Sequence, residues 1–228
     1  MSGSYFTPAL FRFLTELRSN NRREWFLDNK QRYESEVRDP MLRFIADFGP
    51  ELRKISRQLV ADPRPNGGSM MRVYRDTRFS HDKTPYKTNA AAHFNHVSGK
   101  DIHAPGFYFH LSPDEVFVAA GMWHPEAASL GNIREAIVKT PDRWKKTIGE
   151  QRFAFTFELG GDSLKRPPQG YDPNHPLIAD LKRKDFVAGA QLTPQDVCSP
   201  QFMSRFADMC ATSAPLMKFL TTAVGLPW

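Results

Sequence analysis

Residues 107–120 read FYFHLSPDEVFVAA, and this stretch sets the fold class. Phe107, Phe109 and Leu111, then Val116, Val118 and Ala120, recur at every second position, the period of a strand with one apolar face. Ser112-Pro113-Asp114-Glu115 between them is turn chemistry: Pro presets φ, while Ser and Asp bond back to the local backbone. The reading is a hairpin, and with it the start of an antiparallel sheet.

Helix starts are marked on both sides of the hairpin. Five prolines follow a capping residue, at Thr7-Pro8, Asp39-Pro40, Thr140-Pro141, Thr193-Pro194 and Ser199-Pro200, and so mark first turns. The first helix is expected over Pro8–Arg18 with Leu10, Phe13, Leu14 and Leu17 on one side. Asn21 and Glu24 resemble a capping box for a second, and Pro40 opens a third whose apolar positions reach Leu59. Residues 61–69, ADPRPNGGS, are irregular by composition. Short strands are expected at Met71–Arg75 and Ala90–Phe94.

Downstream, helices are expected from Pro125 to Lys139, from Pro141 to Gly149 and from Pro200 to the C-terminal region, and a strand over Phe186–Leu192. Phe153, Phe155 and Phe157 alternate as another strand, with an aromatic face assigned to the core. Helices, then strands, then mixed elements define an α+β class: N-terminal helices packed with a mainly antiparallel sheet and further C-terminal helices. The 228 residues are expected to form one domain spanning 1–228.

Composition excludes a disordered chain, since 18 Phe and four Trp demand a packed core. No run approaches the roughly 20 apolar residues of a membrane span, and the start of the chain lacks a signal-peptide pattern. Cys198 and Cys210 are the only cysteines, too few for a disulfide framework. The expectation is a cytoplasmic protein with no membrane partner and no cofactor.

The net charge of +6 is concentrated: residues 64–103 hold seven basic and three acidic side chains. Their centre is residues 67–88, GGSMMRVYRDTRFSHDKTPYKT, where Arg72, Arg75, Arg78, Lys83 and Lys87 lie among Asp76, Asp82 and Tyr86. Guanidinium forks suit bidentate capture of phosphate or carboxylate, and lysines add point charges. These eight residues are the candidate ligand site, with an anionic small molecule as the expected partner. The same residues also suit internal ion pairing, and a basic surface of this kind suits nucleic acid.

Other constellations are weaker. Asp76 and Asp82-Lys83 lie close together in basic surroundings, but no Glu-x-Lys completes the arrangement of a metal-dependent nuclease. His81, His93, His96, His103, His110 and His124 crowd into one region. The spacing of His93 and His96 suits a metal only in a loop or turn, on a strand the two face opposite sides, and His110 on a strand reads as a hydrogen-bonded structural histidine, so no metal is expected. Lys165, Arg166, Asp172 and His175 in a proline-rich connection could complete a composite pocket, with an exposed loop as the simpler reading.

NNRREWF, then Arg72, Arg75, Asp76, Arg78, Phe79, Asp82, Lys83, Pro85, Tyr86 and Lys87, then APGFYFHL, GMWHP, LKRPPQGYDPNHP and KRKDF resemble a bacterial family of uncharacterised proteins (DUF2461-like). The R-x-x-R-D-x-R-F core carries most of the resemblance. It implies a single domain of similar length, places Arg72, Arg75, Asp76, Arg78, Asp82, Lys83 and Tyr86 at signature positions, and implies no activity.

Overall fold

The computed structural model describes residues 3–98 and 103–228. Five strands, β1 (Ala90–Asn95), β2 (Gly106–Leu111), β3 (Val116–Met122), β4 (Glu158–Gly160) and β5 (Phe186–Leu192), form one sheet in the order β1-β2-β3-β5-β4. Every neighbouring pair is antiparallel, so the α+β class holds. The hairpin lies as its sequence reads: Phe109 pairs Val118 and Leu111 pairs Val116. Its turn closes through Ser112, whose N–H donates to the Glu115 carbonyl at 2.9 Å while its hydroxyl oxygen accepts the Glu115 N–H at 3.1 Å.

Helices seal one face of that sheet. α1 (Pro8–Ser19) buries Leu10, Phe13, Leu14 and Leu17, and α2 (Arg23–Asp28) follows it. α3 (Lys30–Tyr33) runs through a π turn, Glu34–Arg38, directly into α4 (Asp39–Ile55), so the second and third expected helices are nearly continuous. The wider turn sits where the Pro40 ring would otherwise crowd the carbonyl four residues earlier. α4 stops at Ile55, short of Leu59, which instead bridges to His96.

After the hairpin come α5 (Ala127–Lys139), α6 (Pro141–Gly149), α7 (Gln151–Thr156), α8 (Ile178–Leu181), α9 (Pro194–Val197) and the long α10 (Phe202–Ala223). α10 lies on β3 and α4, and α5, α6 and α7 pack against it. Phe109 of β2 meets Phe44 of α4 and Phe206 of α10 at 5.4 and 5.3 Å between ring centres, and these two helical rings meet edge to face at 5.1 Å. Edge-to-face aromatic contacts of this kind stabilise beyond their buried area.

Three expectations fail locally. Residues 71–75 form no strand; the chain makes isolated bridges at Met70–Ala92 and Tyr74–Tyr86 instead. Phe153, Phe155 and Phe157 do not alternate along a strand, because residues 151–156 are α7: Phe153 and Phe157 are buried and stacked at 5.5 Å, while Phe155 is 93% exposed. The Asn21–Glu24 capping box is absent, since Arg22 is the N-cap of α2 and makes no side-chain cap bond. Among the described residues no helix is long and apolar enough to cross a membrane.

Candidate functional site

Alternation along the strands sends Phe107, Phe109, Leu111, Val116 and Val118 to the helices, where none is more than 2% exposed. The opposite face carries His93 on β1, Tyr108 and His110 on β2 and Phe117 on β3, all half-buried. Next to these rings the same face is floored by small residues, Ala119, Gly121 and Val187. Among the described residues no helix contributes to the lining on this side of the sheet, and a cavity of about 470 Å³ stands on it. Trp123, 46% exposed at the end of β3, forms one wall, and Met71, Lys87 and Asn89 form another.

That second wall belongs to an arm thrown out between α4 and β1. Its root pairs along β1: Met71 N–H donates to the Ala91 carbonyl at 2.9 Å, and His93 N–H to the Ser69 carbonyl at 2.8 Å. Farther out the arm doubles back on itself, with Lys87 N–H on the Val73 carbonyl at 2.7 Å and Arg75 N–H on the Pro85 carbonyl at 2.9 Å. Asn21 locks it to the helices, its amide donating to the Tyr86 carbonyl at 2.9 Å and accepting the Tyr86 N–H at 3.0 Å. The Tyr86 ring stacks on Phe26 at 4.0 Å. Hence the asparagine that the sequence offers as a helix cap is a clamp on the arm.

Each such bond contributes about 1 kcal/mol net. Asn21→Ala is expected to cost about 2 kcal/mol in urea unfolding, with accelerated hydrogen exchange at the Tyr86 and Lys87 amides. Unchanged exchange there would show that the clamp does not hold the arm.

The candidate residues divide into two groups. Arg75, Asp82, Tyr86 and Lys87 line a second, polar cavity of about 400 Å³ together with Arg18 and Asn21. Arg72, Asp76, Arg78 and Lys83 lie outside it. Arg78 Nε and Nη2 donate to Asp76 at 3.0 and 2.7 Å, Lys83 Nζ donates to the Thr77 carbonyl at 2.9 Å, and Arg75 is turned onto Asp82 and Thr84. Arg18 is likewise engaged, forked onto Asp114 at 2.8 and 2.6 Å. Lys165, Arg166, Asp172 and His175 line neither cavity.

The tip of the arm is thus a small network of Asx turns and ion pairs. Bonds from Arg78 hold the Asp76 carboxyl down at about 2, and the Thr84 N–H with the Arg75 guanidinium does the same for Asp82. A depressed carboxyl pKa gives an interaction that is complete above the ordinary value near 4 and is lost as pH falls through the folded value. The Arg78 and Thr84 amide resonances are therefore expected to hold their positions to below about pH 4 and to move toward unstructured values as pH falls through about 2. Movement centred at the ordinary carboxyl pKa would mean that these pairs do not form in solution.

Lys87 differs from the other cations. It lines both cavities and, among the described residues, has no ion-pair partner. Burial, and then the charge of Arg72, lower the pKa of its ammonium. Both causes reflect a positive group held where water is scarce and no carboxylate compensates it. Arg72, exposed beside it, likewise makes no ion pair among the described residues.

On the far side of the sheet cavity Asp185, 1% exposed, ties three segments together. It accepts the His124 N–H at 2.6 Å, the Asp162 N–H at 2.7 Å and the His124 ring at 2.9 Å. His124 is the one non-glycine residue with positive φ (48°) among those described, and its ring stacks on Trp123 at 4.2 Å. Among the described residues no three or more His, Cys, Asp or Glu side chains come together to hold a metal ion.

Sequence reasoning singled out the arm and passed over the sheet face. Tyr108, Phe117 and Trp123 carry no charge pattern to draw attention, and His93 and His110 read from the sequence as a metal-ligand candidate and a structural histidine rather than as parts of a ligand site. The available signal was the hairpin itself, whose alternation assigns Tyr108, His110, Phe117 and Ala119 to the face away from the core.

Fold and site together define an α+β protein with one sheet face sealed by helices and the other open to a cavity beside a clamped basic arm. The chain belongs to the family described as conserved hypothetical protein (DUF2461), whose model matches residues 9–219. No protein of curated function matches it.

Proposed function

We propose that the protein binds a small organic anion, a carboxylate or phosphate on an apolar or aromatic body. Lys87 takes the anionic group, Arg72 reinforces its field, and the open sheet face between Tyr108, Phe117 and Trp123 takes the body. The observation that carries this reading is the position of Lys87, which borders both cavities without a carboxylate of its own. Arg75 and Arg18 shape the polar side but arrive already neutralised by Asp82 and Asp114.

Thermal-shift titration with phenyl phosphate, phenylacetate, inorganic phosphate and benzyl alcohol tests it. The two aromatic anions are expected to raise the melting temperature, by about 2.7 kcal/mol of stabilisation at a hundred times Kd, with far smaller effects from the other two probes. Lys87→Met should weaken binding roughly 10- to 100-fold, the loss of one charge-assisted contact. Arg78→Ala should leave it within about twofold, since exposed pairs contribute little. No shift from either aromatic anion, or equal affinity in Lys87→Met, would refute the reading.

Nucleic acid is the competing partner for this surface. It requires the exposed cations Arg78 and Lys83 to meet phosphates, whereas both are turned onto the arm itself. Salt separates the two: a protein making many phosphate contacts loses about a thousandfold or more in affinity between 50 and 200 mM salt, and a single half-buried contact loses little.

A further inference from the structure

Two side chains inside the sheet cavity are hydrogen-bonded to each other. Tyr108 and His110 stand two residues apart on β2 and so share its open face, with the hydroxyl 3.1 Å from His110 Nδ1. The His110 ring lies flat on Phe117, 4.8 Å between centres and 11° between planes, which fixes its orientation. Its Nε2 faces Glu115 of the hairpin turn at 3.8 Å. A line of proton-carrying groups therefore runs from the cavity to the edge of the sheet.

The carboxylate sets the direction of that line. It favours the proton on Nε2, which leaves Nδ1 to accept from the Tyr108 hydroxyl. The Tyr108 oxygen then turns its lone pairs to the cavity. Burial keeps the two groups in those states, lowering the His110 pKa against the pull of Glu115 and pushing Tyr108 up to about 12. The other titratable groups around the pair are His93 on β1, 6.1 Å from the Tyr108 ring, and Lys87 on the arm. β5 contributes only Val187, Gly189 and Gln191 to this face.

We infer that Tyr108, His110 and Glu115 form a proton relay opening onto the cavity, and that the site interconverts the keto and enol forms of a small anionic carbonyl compound. This rests on the reading of Lys87 as the anion's anchor. In the step, a C–H bond next to the ligand carbonyl breaks and its proton goes to the Tyr108 oxygen. At the same time the Tyr108 hydroxyl proton passes to His110 Nδ1, and the imidazolium so formed is stabilised by Glu115. The C–H electron pair becomes the new C=C bond, and the carbonyl π pair goes to oxygen as an enolate in the field of Lys87. That oxygen takes a proton from solvent, and His110 returns one to solvent past Glu115. Protons and electrons balance without an oxidant, a reductant or a co-substrate.

Phenylpyruvate, an aromatic α-keto carboxylate, is the probe. In deuterated buffer, loss of its methylene proton signal reports the exchange, and thermal shift reports binding of the same compound. The wild-type protein is expected to accelerate exchange roughly a hundredfold or more over buffer. Tyr108→Phe, which keeps the ring and removes only the hydroxyl, should return exchange to near the buffer rate while phenylpyruvate still shifts its melting temperature. A purely structural hydroxyl would lower the melting temperature of the free variant and leave exchange at the wild-type rate. Phenylpyruvate bound without accelerated exchange, or exchange intact in Tyr108→Phe, overturns the relay and leaves anion binding standing. Failure of phenylpyruvate to bind also overturns the relay, while the anion site stands or falls with phenyl phosphate and phenylacetate.

Discussion

Replacing Asp185 with alanine is expected to lower stability by about 3 kcal/mol, because it strips the acceptor from two backbone N–H groups and one imidazole at once. For a chain of this length that corresponds to a fall in melting temperature of roughly 6–12 °C. The carboxylate is buried, and its partners come from different stretches of chain: His124 after β3, and Asp162 after β4. Water can reach the half-exposed His124 ring and offset part of the loss, but the backbone donors are less accessible.

Asp185→Asn should recover part of the stability, since an amide oxygen in the place of Oδ1 keeps both His124 bonds and loses only the Asp162 N–H. His124→Ala should cost less than Asp185→Ala, because the aspartate retains both backbone donors. The consequence for the site comes through Trp123, which adjoins His124 in sequence and stacks on its ring. When His124 leaves its positive-φ conformation the wall formed by Trp123 shifts, so probe affinity in Asp185→Ala should fall along with stability. A loss below about 1 kcal/mol, within the range of ordinary surface substitutions and small contacts, would show that the three segments hold their places without this carboxylate.

The layered fold was legible because its signals are local. Period-two alternation at Phe107, Phe109 and Leu111 determines which face meets the core, and Pro8 and Pro141 occupy first helical turns as their sequence context reads, although neither Thr7 nor Thr140 caps with its side chain. The aromatic run 153–157 shows where local signals fail. Residues four apart share a helical face as well as a strand face, so Phe153 and Phe157 are buried either way; only Phe155 discriminates, and it is exposed. The arm's internal pairs, Asp76 with Arg78 and Asp82 with Arg75, span two and seven residues and were within reach of the sequence. The clamp of Asn21 on Tyr86 spans 65 residues and was not. Nor was the cavity, for alternation states that a strand has a second face but not that the helices all gather on the first.

Gly121→Ala is expected to cost more than about 4 kcal/mol, in the range reserved for disrupted cores and strained backbone. Gly121 lies in β3 opposite Val187 and forms part of the cavity floor, with φ at +136°, a conformation that L side chains rarely adopt. A methyl group there would stand 2.0 Å from the Phe186 carbonyl oxygen, which belongs to the backbone of β5 and cannot rotate aside. To admit it, β3 must part from β5 at the centre of the sheet, and Phe186 with its fully buried ring must move as well. The expected outcome is a protein without a cooperative thermal transition, or one recovered mainly as aggregate. Gly189→Ala is the matched control, in the neighbouring strand and on the same face, where an added methyl meets nothing within 4 Å. It should lie within about 0.5 kcal/mol of wild type or be slightly stabilising, since alanine restricts the unfolded chain. Equal effects from the two substitutions would mean that β3 and β5 can adjust their separation, and the small-residue floor of the cavity would then not depend on glycine at position 121.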